Sequence, residues 1–313
     1  MRFPFRARLV IFAAALFAAA PLRAIVELDS SFSVTDADYI ALGAEYPEVG
    51  VISGSGDVGS GVLIAPDWVL TAAHIAAAQT TATTTFYVGG NSYNITETII
   101  APGYTSSPID NDIALIKLAS PVTNVAPAAL YTGSAELGVT ATWTGIGQTG
   151  NGLTGQNGDG VGTLRGATNV VDAFAYSSLT PTPDVYLTTN SGNGTFIAAD
   201  FDDGTAGNNT LSGAPYNSSA TPTSLEGSLG ASDSGGGVFA NFGDGPVLIG
   251  INDFIAPGNG TSTQYGALSG ATRVSTYSTW IDSQIPEPSA TALLTGIFAG
   301  LFAVARSRRK SRK

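Results

Sequence analysis

Between residues 46 and 118 the chain alternates short apolar-rich runs, 49–53, 61–64, 68–70, 84–88, 92–99 and 113–118, with turn residues. Thr, Val, Ile and Tyr dominate the runs, and Gly, Pro, Asn and Asp separate them. Runs of this length and composition predict strands, and loop signals roughly every 8–12 residues predict a sandwich or barrel. Helical spacing is sustained only over 275–284, where Tyr277, Trp280 and Ile281 lie three and four apart on one face. The pattern therefore predicts an all-β protein closing on a short helix. From 145 to 231 the composition shifts to Gly, Asn, Thr, Ser and Asp, with polar runs at 147–162 and 190–220. So polar a stretch predicts long surface loops between the strands of the second half.

The two ends read differently from the middle. Arg2, Arg6 and Arg8 precede an apolar run over 9–20 and then Pro21-Leu22-Arg23-Ala24. That three-part layout predicts a secretory signal over 1–24, cut by signal peptidase after Ala24. Its apolar run is too short for the ~20 residues that a spanning helix needs. At the other end Pro286-Glu287-Pro288 leads into an apolar stretch over 290–305 and then six basic residues from Arg306 to Lys313. This is a membrane stop with a positive anchor, suited to transient membrane association. It resembles the PEP-CTERM sorting signal of Gram-negative bacteria, which implies an exosortase as partner. An ordinary C-terminal anchor is the alternative.

With both ends removed, 25–285 retains 23 of the 24 carboxylates but only Lys117, Arg165 and Arg273 of the 13 basic residues, a net charge of −20. Nucleic acid is thereby excluded as a partner, and cationic substrates are favoured. There is no cysteine, so neither disulfides nor thiolate chemistry is available. Asp200, Asp202 and Asp203 cluster beside Gly204 as in calcium loops. Their spacing matches no EF-hand, so a solvated acidic loop is the preferred reading and no cofactor is expected.

Three places carry candidate chemistry. The chain's one histidine, His74, follows the apolar run at 68–70 through Thr71-Ala72-Ala73. A lone histidine is more often structural than chemical, but the end of a rigid strand is where a general base has to be held. Asp112 stands directly before the apolar run 113–118, where a partly buried carboxylate needs a donor such as an imidazole N–H. Ser234 lies in Asp233-Ser234-Gly235-Gly236-Gly237. Glycines there let the backbone turn tightly and let a substrate approach a nucleophilic hydroxyl.

In that order, Thr71-Ala72-Ala73-His74, Asp112-Ile113-Ala114-Leu115 and Asp233-Ser234-Gly235-Gly236 resemble the chymotrypsin/trypsin family of serine proteases. The likeness extends to 59–64, to 245–251 and to Thr272-Arg273-Val274 with the helix that follows. It implies two antiparallel six-stranded β-barrels, here over 25–130 and 131–285, with the site between them. It also implies a Ser-His-Asp triad of Ser234, His74 and Asp112 acting on protein or peptide substrates. The backbone amides of Ser232 and Ser234 would form the oxyanion hole, and Ile25 would pair with Asp233 after cleavage. Ser228 would form the base of the substrate pocket, with Asp253, Phe254 and Ile255 along its wall. Serine at 232 replaces the family's usual glycine and would be strained if the position needs positive φ. The expected function is an exported serine endopeptidase, secreted or displayed at the surface of a Gram-negative bacterium. The alternative is an inactive homologue serving as a surface or matrix binding protein.

Overall fold

The computed structural model describes residues 24–157, 161–178, 184–259 and 263–285; the expected signal segment up to residue 23 and the expected sorting segment 286–313 lie outside them. The first half closes into a six-stranded antiparallel barrel. Around it run Val49–Ser53, Gly59–Ala65, Trp68–Thr71, Ala114–Leu118, Asn91–Ile100 and Thr85–Val88. Each of the six predicted runs coincides with one of these strands to within a few residues. Ile52, Val62, Leu63, Val69, Leu70, Phe86, Leu115 and Ile116 of these strands are all buried and belong to one apolar cluster that packs on both faces of the barrel wall.

The second half is an eight-stranded antiparallel sheet. Its spine is Thr140–Gly145, Gly237–Asn241, Pro246–Ala256, Leu268–Arg273 and Phe196–Asp200. Four strands, Arg165–Val170, Ala173–Ser178, Asp184–Thr188 and Phe196–Asp200, fall inside the region expected to be loop. Their small and polar residues conceal them in the sequence, yet Ala173, Phe174, Ala175, Phe196, Ile197 and Ala198 are all buried. The strand Asp184–Thr188 pairs only with Ala173–Ser178, so it extends the sheet beyond the expected six strands. The all-β class stands.

Phe239, Leu248 and Ile251 of the second sheet and Val274, Tyr277 and Ile281 of the C-terminal segment share one apolar cluster with the first barrel. The expected C-terminal helix is present as a 3₁₀ turn, Val274–Tyr277, followed by an α-helix, Ser278–Gln284. Two further helices escaped the periodicity reading. One is Asp36–Gly43, opened by a capping box between Thr35 and Asp38; the other is the single turn Ala73–Ala77.

Candidate active site

The register of the first barrel brings His74 and Asp112 together. Thr71 is paired with Ala114 in the antiparallel ladder between their strands. His74 is three residues beyond Thr71 and Asp112 two before Ala114, so both leave the barrel at the same end. Ala72 and Ala73 are fully buried there, and the helical turn Ala73–Ala77 swings the imidazole outward with 31% of its side chain exposed. Asp112 is fully buried. Its Oδ1 accepts the His74 backbone N–H at 2.7 Å, and its Oδ2 is bonded to His74 Nδ1. Two bonds to one residue fix the imidazole's orientation and leave Nε2 as the nitrogen facing away from the carboxylate. Burial alone would raise the Asp112 carboxyl; hydrogen bonds from the His74 ring and from Asp253, with the attraction of the imidazolium, hold it below the ordinary carboxylate range.

Ser234 reaches this end from the second half. Its carbonyl accepts the Ser60 N–H at 2.8 Å, and Gly235 donates to the Asn252 carbonyl at 2.8 Å. Asn252 in turn donates to the carbonyls of Thr144 and Asp233. Gly235 takes φ +85°, and a Cβ there would strike the Ser60 carbonyl oxygen and Thr71 Oγ1. Only glycine lets the serine turn sit against the two strands that lead to His74. Among the described residues Ser234 Oγ has no hydrogen-bond partner, so its bond to the imidazole is not formed in this structure. The backbone amides of Ser232 and Ser234 likewise donate to no described residue, whereas the Asp233 amide is bonded to the Gly230 carbonyl. Ser232 sits at φ +72°, the strained region anticipated for a non-glycine residue.

Behind the serine, Asp233 is fully buried. It accepts N–H groups from Gly147 and Gly230, each at 2.7 Å, and from Ile25 at 3.3 Å. Burial pushes its carboxyl up to about 7 against the lowering effect of those three bonds. Ile25 is held there by a two-residue strand, Val26–Glu27, which pairs with Gly150–Asn151 on one side and Gly227–Ser228 on the other. Thr149 adds a bond to the Ile25 carbonyl.

Ser228 is buried, and its hydroxyl is within 2.9 Å of the Ser269 hydroxyl, so this spot carries two neutral polar groups. Phe254 stands edge-on to Phe196 and covers Gly270, while Ile255 packs against the apolar cluster of the second sheet. Asp253 turns the other way. Its Oδ2 accepts the Thr272 hydroxyl at 2.9 Å, and its carboxyl meets Asp112 rather than Ser228. No feature of the isolated sequence marks that contact, since position 253 reads there as one more wall residue. Among the described residues, His74, Asp112 and Asp253 form the only set of three histidine or carboxylate groups whose ligating atoms lie within 4.8 Å of one another. The three acids read as a solvated loop differ in exposure, and Asp200 and Asp202 lie close to each other. Asp203 bonds Thr205 and Asn208 in its own turn, whereas Asp200 and Asp202 are buried.

A cavity of about 430 Å³ lies near Asp112, lined by Gly103, Thr105, Pro108, Asp110, Ser177 and neighbouring residues.

The protein-family model described as Trypsin matches residues 43–220, which include His74 and Asp112 and end before Ser234. Among solved structures, the chain is similar to neuropsin, a serine protease expressed in the limbic system of mouse brain. The identity is 20% and the TM-score 0.52, covering 77% of this chain and 95% of that one. At that identity the likeness concerns the fold. No curated protein matches the chain.

Proposed function

The chain belongs to the trypsin family, and on that premise we propose that it is a serine endopeptidase exported from the cell, with Ser234, His74 and Asp112 as its catalytic triad. The observation that carries the reading is the doubly bonded His74–Asp112 pair at the barrel end where Ser60 anchors the Ser234 turn. Ser234 Oγ attacks the substrate carbonyl carbon as its proton passes to His74 Nε2. The oxygen that becomes negative is met by the unspent amides of Ser232 and Ser234. The imidazolium, steadied by Asp112, returns the proton to the leaving amine, and water then releases the acyl group by the same route.

Signal peptidase, cutting after Ala24, would convert the Ile25 amide into an ammonium already placed at Asp233, so processing and activation would be one event. The neutral Ser228–Ser269 pair favours an apolar substrate side chain of small or medium size over Arg or Lys. The sorting segment 286–313 would hold the protein at the membrane until an exosortase cuts it.

Hydrolysis of peptide substrates that differ only in the residue before the scissile bond tests this. Leucyl or alanyl substrates are expected to turn over and arginyl ones poorly, with Ser234→Ala and His74→Ala each lowering kcat roughly 10³-fold or more. Activity that survives Ser234→Ala would overturn the triad. A preference for arginine would overturn the pocket reading alone. The second reading, an inactive homologue acting as a binding protein, is favoured by the strain at Ser232 and predicts no turnover of any of these substrates.

A further inference from the structure

Behind the imidazole stand two carboxyl groups, where a charge-stabilising role needs one. Asp253 is buried, and its Oδ1 is sealed from solvent without any partner other than a neighbouring carboxyl. Thr272 bridges the two acids, its hydroxyl lying 2.9 Å from Asp253 Oδ2 and 3.1 Å from the Asp112 carbonyl. The other titratable groups facing Asp253 are His74 and Asp110 and, from the two flanking segments, the phenols of Tyr104 and Tyr277. Among the described residues no basic side chain is placed to neutralise a second charge. Lys117 pairs with Asp67, Arg165 with Asp36 and Glu27, and Arg273 with Glu136.

Two buried carboxylates in contact cannot both stay ionised, and a proton shared between them removes the conflict. We propose that Asp253 is a positioning residue of the triad, keeping its proton at working pH and donating it to Asp112, so that His74 faces a single negative charge. Burial, and then the charge of Asp112, raise the Asp253 carboxyl well above its ordinary range, while the bond from Thr272 opposes them. Asp112 is left as the anion of the pair, with its lone pairs engaged by the His74 amide, the His74 ring and Asp253. The neutral acid both locks the Asp112 rotamer and tempers its basicity. It thereby sets the pH at which His74 becomes a usable base.

This inference rests on the triad reading, but its test does not require turnover. With one histidine in the chain, the imidazole of the full-length protein gives a single set of ¹⁵N resonances to titrate. Asp253→Asn keeps a donor of the same shape and removes no charge if Asp253 is neutral. The His74 midpoint should then stay within about 0.3 pH unit of the parent. A fall of one unit or more would overturn the proposal, because it would mean that a negative charge had been removed. Movement of the imidazole resonances on adding EDTA would also overturn it, by showing a bound cation in the proton's place. Asp253→Ala, which removes the donor, should move the midpoint upward and, in active protein, lower kcat about tenfold with KM unchanged. An unaltered titration in Asp253→Asn combined with no turnover by the parent would sink the protease reading, and with it the catalytic role of Asp253, while the proton held between Asp253 and Asp112 would stand.

Discussion

Ser232, one of the two amides proposed to meet the oxyanion, sits at φ +72° with a side chain attached. Ser232→Gly is expected to leave stability unchanged or raise it by up to ~1 kcal/mol, since relief of strain and the greater freedom of the unfolded chain oppose each other. Ser232→Val should lower it by about 1–2 kcal/mol, because a β-branched residue fits that region worst. Urea titration of the two variants checks both signs. At this scale the sequence was informative where chemistry is local. His74, Asp112 and Ser234 each sit in a short motif that singles them out, and the structure joins the first two directly. The partner of Asp253 was not legible, because it is set by a ladder between Pro246–Ala256 and Leu268–Arg273 that turns its side chain toward Asp112 and Thr272. The same holds for Ser228, whose hydroxyl partner is 41 residues away.

The element on which the proposed activation depends is the segment 25–46. Its strand Val26–Glu27 is clamped on both edges, and its helix Asp36–Gly43 lies on the strand Arg165–Val170. Arg165, fully buried, reaches Asp36 at 2.6 Å and Glu27 at 3.3 Å. Tyr39 accepts the Leu28 N–H and donates to the Glu226 carbonyl. Tyr39→Phe strands both backbone groups in a buried place and should cost about 1–3 kcal/mol in a denaturation experiment. Placing one extra residue ahead of a free Ile25 terminus would displace the ammonium by up to ~3.8 Å from its place beside Asp233. A folded protein of that kind is expected to lose roughly 100-fold in kcat/KM relative to one beginning at Ile25, and equal activity would refute the activation route. The helix was illegible from periodicity because only Tyr39 and Gly43 of its eight residues are buried. The Thr35–Asp38 capping pair was the available signal.

Across the whole molecule, acidity is concentrated as well as abundant. Asp172, Asp200, Asp202 and Glu226 meet where the strand Phe196–Asp200 ends, and burial followed by mutual repulsion lifts three of them: Asp172 and Asp202 to about 8 and Glu226 to about 7. Asp200 is raised too, chiefly by burial. The folded state holds protons here that the unfolded chain releases above about pH 4, so stability must fall as pH rises from about 4 toward 8. Asp112 and Asp29, held low, act in the opposite sense and lose their contribution only below about pH 4. Thermal unfolding should therefore give a Tm on the order of 5 °C higher at pH 5.5 than at pH 8. A Tm that climbs toward pH 8 would show these acids to be ionised in the fold. The barrel architecture was legible because apolar runs recur at strand length. The strands of the polar region were not, because much of what they bury is alanine and asparagine, such as Ala167, Asn169, Ala173, Ala175 and Ala198, which set up no recurring apolar pattern.

Activation of Ser234 is read from the intact mass of the purified, processed protein after exposure to a fluorophosphonate, beside its Ser234→Ala variant. A single adduct on the parent and none on the variant is the expected result. Folded parent protein that takes up no probe, or a variant labelled as readily as the parent, would contradict the claim that Ser234 is a nucleophile served by His74 and Asp112.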